Sequence, residues 1–113
     1  DTVRFGANDC REDEEDQSKV HFLPQLYRVC ERGFLSQAGG VLTAREKEVL
    51  RWGAKLMTLE CGIRFLTDYL QGDTYFKVSR ARQNLERCRT QFKLVRDMEA
   101  RWDEMAAVVK KYS

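Results

Sequence analysis

Apolar residues recur along most of this chain at steps of three and four, the period of a helix with one buried side. Leu26, Tyr27, Cys30 and Phe34 follow that spacing behind Pro24. Proline suits a first helical turn, where its missing N–H is not needed. A helix is therefore expected from near Leu23 to Gly39-Gly40, where glycine can adopt the left-handed conformation that closes helices.

Thr43-Ala44-Arg45-Glu46 reads as a capping box, in which the threonine oxygen and the glutamate satisfy each other's backbone N–H groups. The helical pattern then continues to about Leu70. Gly53 interrupts it, because glycine weakens helix interiors, and leaves open one kinked helix or two. From Trp52 to Leu70 apolar residues occur on nearly every face, which predicts a central, buried helix. Gln71-Gly72-Asp73 ends it, and Thr74-Tyr75-Phe76 falls in the following turn. A long final helix is expected from roughly Arg82 to Lys111, with Leu85, Cys88, Phe92, Val95, Met98, Trp102, Met105, Val109 and Tyr112 on its buried side. No stretch alternates with period two, so the expected fold is all-α, with three to four helices.

Composition narrows this further. The 113 residues suffice for one domain with a modest core. With 42% apolar and 34% charged residues the chain belongs among folded proteins, not disordered tails. A net charge of +2 is too small to argue for a nucleic-acid partner. Cys10, Cys30, Cys61 and Cys88 lack the short spacings of zinc or redox motifs. Free, buried thiols in a reducing cytoplasm are the expectation. No unbroken apolar run approaches the roughly 18 residues of a membrane span, so no membrane partner is expected.

Residues 1–19 read as an irregular acidic lead-in. DTVRFGAND has no helical period, and residues 12–16 are five consecutive acids. Such a run is a self-repelling, solvated stretch more often than a metal cage. The abrupt opening without Met reads as a piece of a longer chain.

Candidate chemistry centres on LMTLECGIRFLTDYL, residues 56–70, where charged residues interrupt an apolar run. In a helix Glu60, Arg64 and Asp68 stack at four-residue intervals. A buried guanidinium needs partners, so Arg64 should pair with Glu60 or Asp68. That ladder is either purely architectural, or it holds Arg64 so that spare donors of its rigid fork face a ligand. Tyr75, just past the helix end, is either a core cover or a platform for a sugar ring. The basic stretch with Arg80, Arg82, Arg87 and Arg89 is diluted by Glu86 and reads as a solvated helix face. His21, the only histidine, reads as structural; no nucleophile–base pair and no glycine-rich phosphate loop is present.

Several segments carry a family likeness. FGAN, EDEEDQSKV, KLMTLECGIRFLTDYLQGDTYFK, NLERCRTQFKLV and EARWDEM together resemble the C-terminal portion of N-acetylhexosamine 1-kinase-like phosphotransferases. These belong to the aminoglycoside phosphotransferase and choline kinase superfamily, with a protein-kinase-like fold. The resemblance implies that residues 20–113 form a helical substrate-binding subdomain, following a lead-in from the metal-binding region. It implies transfer of the ATP γ-phosphate, with magnesium, to the anomeric hydroxyl of N-acetylglucosamine or N-acetylgalactosamine. Arg64 and Tyr75 align with the family's sugar-contacting residues, with Glu60 or Asp68 orienting the arginine. The catalytic and magnesium-binding aspartates would lie upstream. Asp1 looks like the end of the family's FGD segment and is not the catalytic base. The chain alone is thus expected to be inactive, to hold no metal, and to self-associate through apolar surface that a larger lobe would cover. Another small-molecule kinase of the superfamily, acting on choline or an aminoglycoside, and a stand-alone helical interaction module are the competing expectations.

Overall fold

Six α-helices and one 3-10 turn, with no strand, make up the computed structural model, which describes all 113 residues. The helices are α1 (Thr2–Gly6), α2 (Pro24–Ala38), α3 (Ala44–Glu48), α4 (Leu50–Leu70), α5 (Gln83–Ala100) and α6 (Trp102–Tyr112). The all-α expectation holds, but with six helices instead of three to four. The additional helices arise at three places: the lead-in, Val49 and Arg101.

The lead-in is the first. It contains α1 and a 3-10 turn at Gln17–Lys19, whose N-terminus Asp16 caps by accepting from Ser18 N. It is not merely a solvated arm, because Ala7, Val20 and Phe22 lie in the core with Tyr27, Leu35, Ala54, Leu94, Met98, Met105 and Val109. The acidic run disperses into ion pairs: Glu12 with Arg4 at 3.0 Å, and Asp13 with Arg80 at 3.1 Å. Burial would raise the Asp13 pKa, but bonds from Gln83 and Arg80 hold it below the usual aspartate value.

The second is the segment from Thr43 to Leu70. Its capping box forms as expected, with Glu46 N donating to Thr43 Oγ1 at 3.2 Å and Thr43 N to Glu46 Oε2 at 2.7 Å. The helix then breaks at Val49 (φ −95°, ψ 3°), giving α3 and α4. Gly53 stays inside α4; one interior glycine costs only about 1 kcal/mol, which packing overrides. Gly39, at the end of α2, is right-handed (φ −59°) and not left-handed. It is needed for closeness instead, since a Cβ there would lie 2.5 Å from the Leu35 carbonyl oxygen.

The third is the final helix, which bends at Arg101 (φ −117°, ψ 25°) into α5 and α6. Arg51 of α4 holds the bend. It donates to the Trp102 carbonyl at 2.6 Å and lies 4.4 Å over the indole, which meets Trp52 edge-on at 4.9 Å. The bend turns α6 against α2 and buries Met105 and Val109.

α4 and α5 form an antiparallel hairpin. Lys55 reaches Glu99 at 3.4 Å, Gly62 meets Phe92, and Asp68 binds Asn84 at 2.7 Å. α4 is central, but it is not buried all round. Only Ala54, Thr58, Gly62, Phe65 and Asp68 are buried. The four thiols are free; Cys88 is buried, and Cys10, Cys30 and Cys61 are partly exposed. No helix is long and apolar enough to cross a membrane.

Met105 sits fully buried where α6 returns to the core. Met105→Ala should therefore cost about 2–5 kcal/mol in a denaturant unfolding experiment. A loss below about 1 kcal/mol would contradict the packing of α6 described above.

Candidate functional site

Glu60, Arg64 and Asp68 share one helix but not one face. Each four-residue step advances about 40° past a full turn, so the row spirals from solvent toward α5. Glu60 and Arg64 are both half-exposed and pair at 3.5 Å. Asp68, only 4% exposed, faces α5 and makes no ion pair with Arg64. The expected three-membered ladder thus has two members, and Arg64 is not a buried guanidinium. An exposed i,i+4 pair of this kind contributes only about 0.3–0.5 kcal/mol.

Asp68 has a different task. Its carboxylate accepts from Tyr75 N at 2.7 Å, Phe76 N at 3.0 Å, Asn84 Nδ2 at 2.7 Å and Thr74 Oγ1 at 3.5 Å. The backbone supplies the necessary turn: Gly72 (φ 93°) and Asp73 (φ 60°) are left-handed, and Asp73 N returns to Asp68 O at 2.8 Å. Burial alone would raise the Asp68 pKa. The donors of Phe76, Tyr75, Asn84 and Thr74 outweigh it and hold the carboxyl below its ordinary value of 3.8. Asp68 therefore positions Tyr75, where the sequence had suggested that it orients Arg64.

Two residues complete this corner that pattern reading passed over. Asn84 is fully buried and donates to both Asp68 and Asp73, the latter at 3.0 Å. Phe76 packs on Phe65 at 4.7 Å and meets Tyr75 edge-on at 4.9 Å. The only advance signal was Asn84 at the second position of a helix, where a short polar side chain is more often a cap than a cross-link.

The two principal candidates come together. The Arg64 guanidinium lies 5.7 Å from the Tyr75 ring centre and 5.5 Å from that of Phe76. Tyr75 is 74% exposed, and no N–H of Arg64 has a hydrogen-bond partner within the protein. Arg64 and Tyr75 wall a shallow groove of about 310 Å³ with Thr67 and Gln71. Arg64 also borders a larger depression of about 740 Å³, where Arg4, Lys77 and Arg87 are interleaved with Asp1, Glu12 and Glu60. A flat aromatic ring beside a free guanidinium fork suits a ligand with one apolar face and several hydroxyl or amide acceptors.

Of the basic stretch, Arg80 pairs with Asp13, Glu15 and Glu86. Arg87 donates to Asn84 Oδ1 at 2.9 Å and to the Lys77 carbonyl. Arg82 and Arg89 alone face solvent as expected. His21 is exposed, 3.9 Å from Asp97. No three His, Cys, Asp or Glu side chains converge as a metal cage. No known family model matches this chain.

The depressed Asp68 pKa has a definite sign. A carboxyl whose folded pKa lies below its unfolded value adds stability that is fully present above the unfolded value. That stability is lost as pH falls through the folded one. Thermal unfolding midpoints should therefore drop below about pH 3.8. Asp68→Asn should lower the midpoint at neutral pH and shrink that acid-side drop, as followed by circular dichroism. An unchanged acid profile would remove Asp68 from this role.

Proposed function

We propose that this helical unit is the substrate-binding part of an ATP-dependent small-molecule kinase. Within that class, its segment resemblance favours an N-acetylhexosamine 1-kinase acting on N-acetylglucosamine or N-acetylgalactosamine. The observation that carries the reading is the Arg64–Tyr75 pair: a guanidinium held only by a long, exposed contact to Glu60, beside an exposed ring whose backbone Asp68 fixes. Tyr75 offers its face to the C–H side of a pyranose. Arg64 offers paired donors to ring hydroxyls and to the acetamide carbonyl.

ATP and magnesium belong to the proposed parent enzyme. Arg64 and Tyr75 would bind and orient the acceptor sugar, and the transfer step itself would be carried by others.

The test is acceptor binding and turnover in the complete enzyme. Arg64→Ala should reduce kcat/KM for N-acetylhexosamines about 10²-fold or more, with Arg64→Lys recovering only part. Tyr75→Ala should raise KM chiefly, by about tenfold. Turnover of choline or kanamycin in place of the hexosamines, or an Arg64→Ala variant of normal activity, would return Arg64 to a surface ion pair.

A further inference from the structure

On the side turned away from the core, α4 carries an apolar row along its length. On α4, Leu56, Leu59, Ile63, Leu66 and Leu70 repeat at alternating steps of three and four, a 3.5-residue period, with Trp52 extending the row. They lie opposite the buried residues Ala54, Thr58, Gly62 and Phe65. Leu56 is 54% exposed, Ile63 49% and Leu70 73%. Phe92 of α5 lies against Gly62 and carries the apolar surface across to the second helix. A single exposed leucine needs no explanation, but Leu56, Ile63 and Leu70 exposed two turns apart, with half-buried Leu59 and Leu66 between them, do.

The two rims of this face carry different charge. The α5 rim has Arg89 and Arg96, both exposed and without ion pairs. The α4 rim has Glu60, held only by the long exposed contact to Arg64. The hairpin register places Glu60 level with residues 93–94 of α5, within one turn of Arg96.

We infer that a second copy of this chain covers the face, with α4 of each copy lying on α5 of the other in a four-helix bundle. A two-fold axis parallel to the helices produces this arrangement. It brings the Glu60 rim of one copy beside the Arg89 and Arg96 rim of its partner, twice over. It also makes every neighbouring helix pair antiparallel, which the helix dipoles favour. The other two-fold, which lays α4 on α4, sets arginine rim on arginine rim and is disfavoured. The alternating three-and-four spacing is one by which helices interlock side by side. The α4 row, about 30 Å long with Phe92 of α5 beside it, offers a partner helix contact along its length. This inference stands apart from the sugar reading, because none of its apolar residues lines the Arg64–Tyr75 groove.

Sedimentation velocity over a hundredfold concentration range tests it, with circular dichroism confirming that each variant remains helical. The wild-type chain should be dimeric. Ile63→Glu, at an exposed position, should keep the fold and weaken dimerisation on the order of 100-fold or more, because it buries an unpaired charge. Glu60→Arg and Arg96→Glu should each weaken it by about tenfold, and the double variant should recover most of the loss. A chain monomeric at every concentration would overturn the inference, as would a dimer indifferent to Ile63→Glu. A double variant without recovery would overturn the α4-on-α5 arrangement. Cosedimentation of a monomer with phosphatidylglycerol vesicles would assign the face to an anionic membrane instead.

Discussion

A buried carboxylate with no cation beside it holds the candidate site together. Asp68 is taken out of water at the end of α4 and is compensated entirely by neutral donors: two backbone N–H groups, the Asn84 amide and, more distantly, the Thr74 hydroxyl. Such an arrangement is stringent. An aspartate stripped of water remains charged only if its acceptor positions are filled, so the loop has little freedom to place Tyr75 and Phe76 elsewhere. The same atoms clamp the start of α5, because Asn84 bridges Asp68 and Asp73. One side chain thereby joins a helix end, a left-handed turn and the next helix.

This constraint separates two roles that the row of charges seemed to combine. A residue that stabilises is buried and saturated; a residue that recognises keeps donors free. Asp68 is the first kind and Arg64 the second. What divides them is the roughly 40° advance per four residues, which carries Asp68 into the interface and leaves Arg64 at the rim. Arg64 is steadied by ring stacking on Tyr75 and Phe76 more than by its weak contact with Glu60. The aromatic platform is in turn fixed through Asp68, so recognition depends on the buried carboxylate at one remove.

The helical class, the start of α2 at Pro24, the capping box at Thr43 and the end of α4 at Gln71-Gly72 were all legible, because each has a local cause in a few adjacent residues. The breaks at Val49 and Arg101 were not. Neither contains proline or glycine, and the three-and-four spacing runs straight through Met98, Trp102 and Met105. The Arg101 bend is held by Arg51, fifty residues away in sequence, so no local pattern could signal it. The pairing of Arg64 with Tyr75 was legible as proximity to a helix end. Asn84 was not, since its function exists only once α5 folds back beside α4.

The apolar pattern of α4 misled for an informative reason. Apolar residues on every side suggested complete burial, and half of them are in contact with solvent. Periodicity reports that a face is suited to burial; it does not report whether the burial occurs within the chain or against something else. Two interleaved patterns run along α4. Ala54, Thr58, Gly62 and Phe65 are mostly small and admit α5 closely, whereas Leu56, Leu59, Ile63, Leu66 and Leu70 are large and lie half-buried or exposed. Small residues inward and large residues outward invert the usual surface helix. That inversion fits a helix that forms the middle layer of an assembly, with the recognition corner at Arg64 and Tyr75 exposed along its third side.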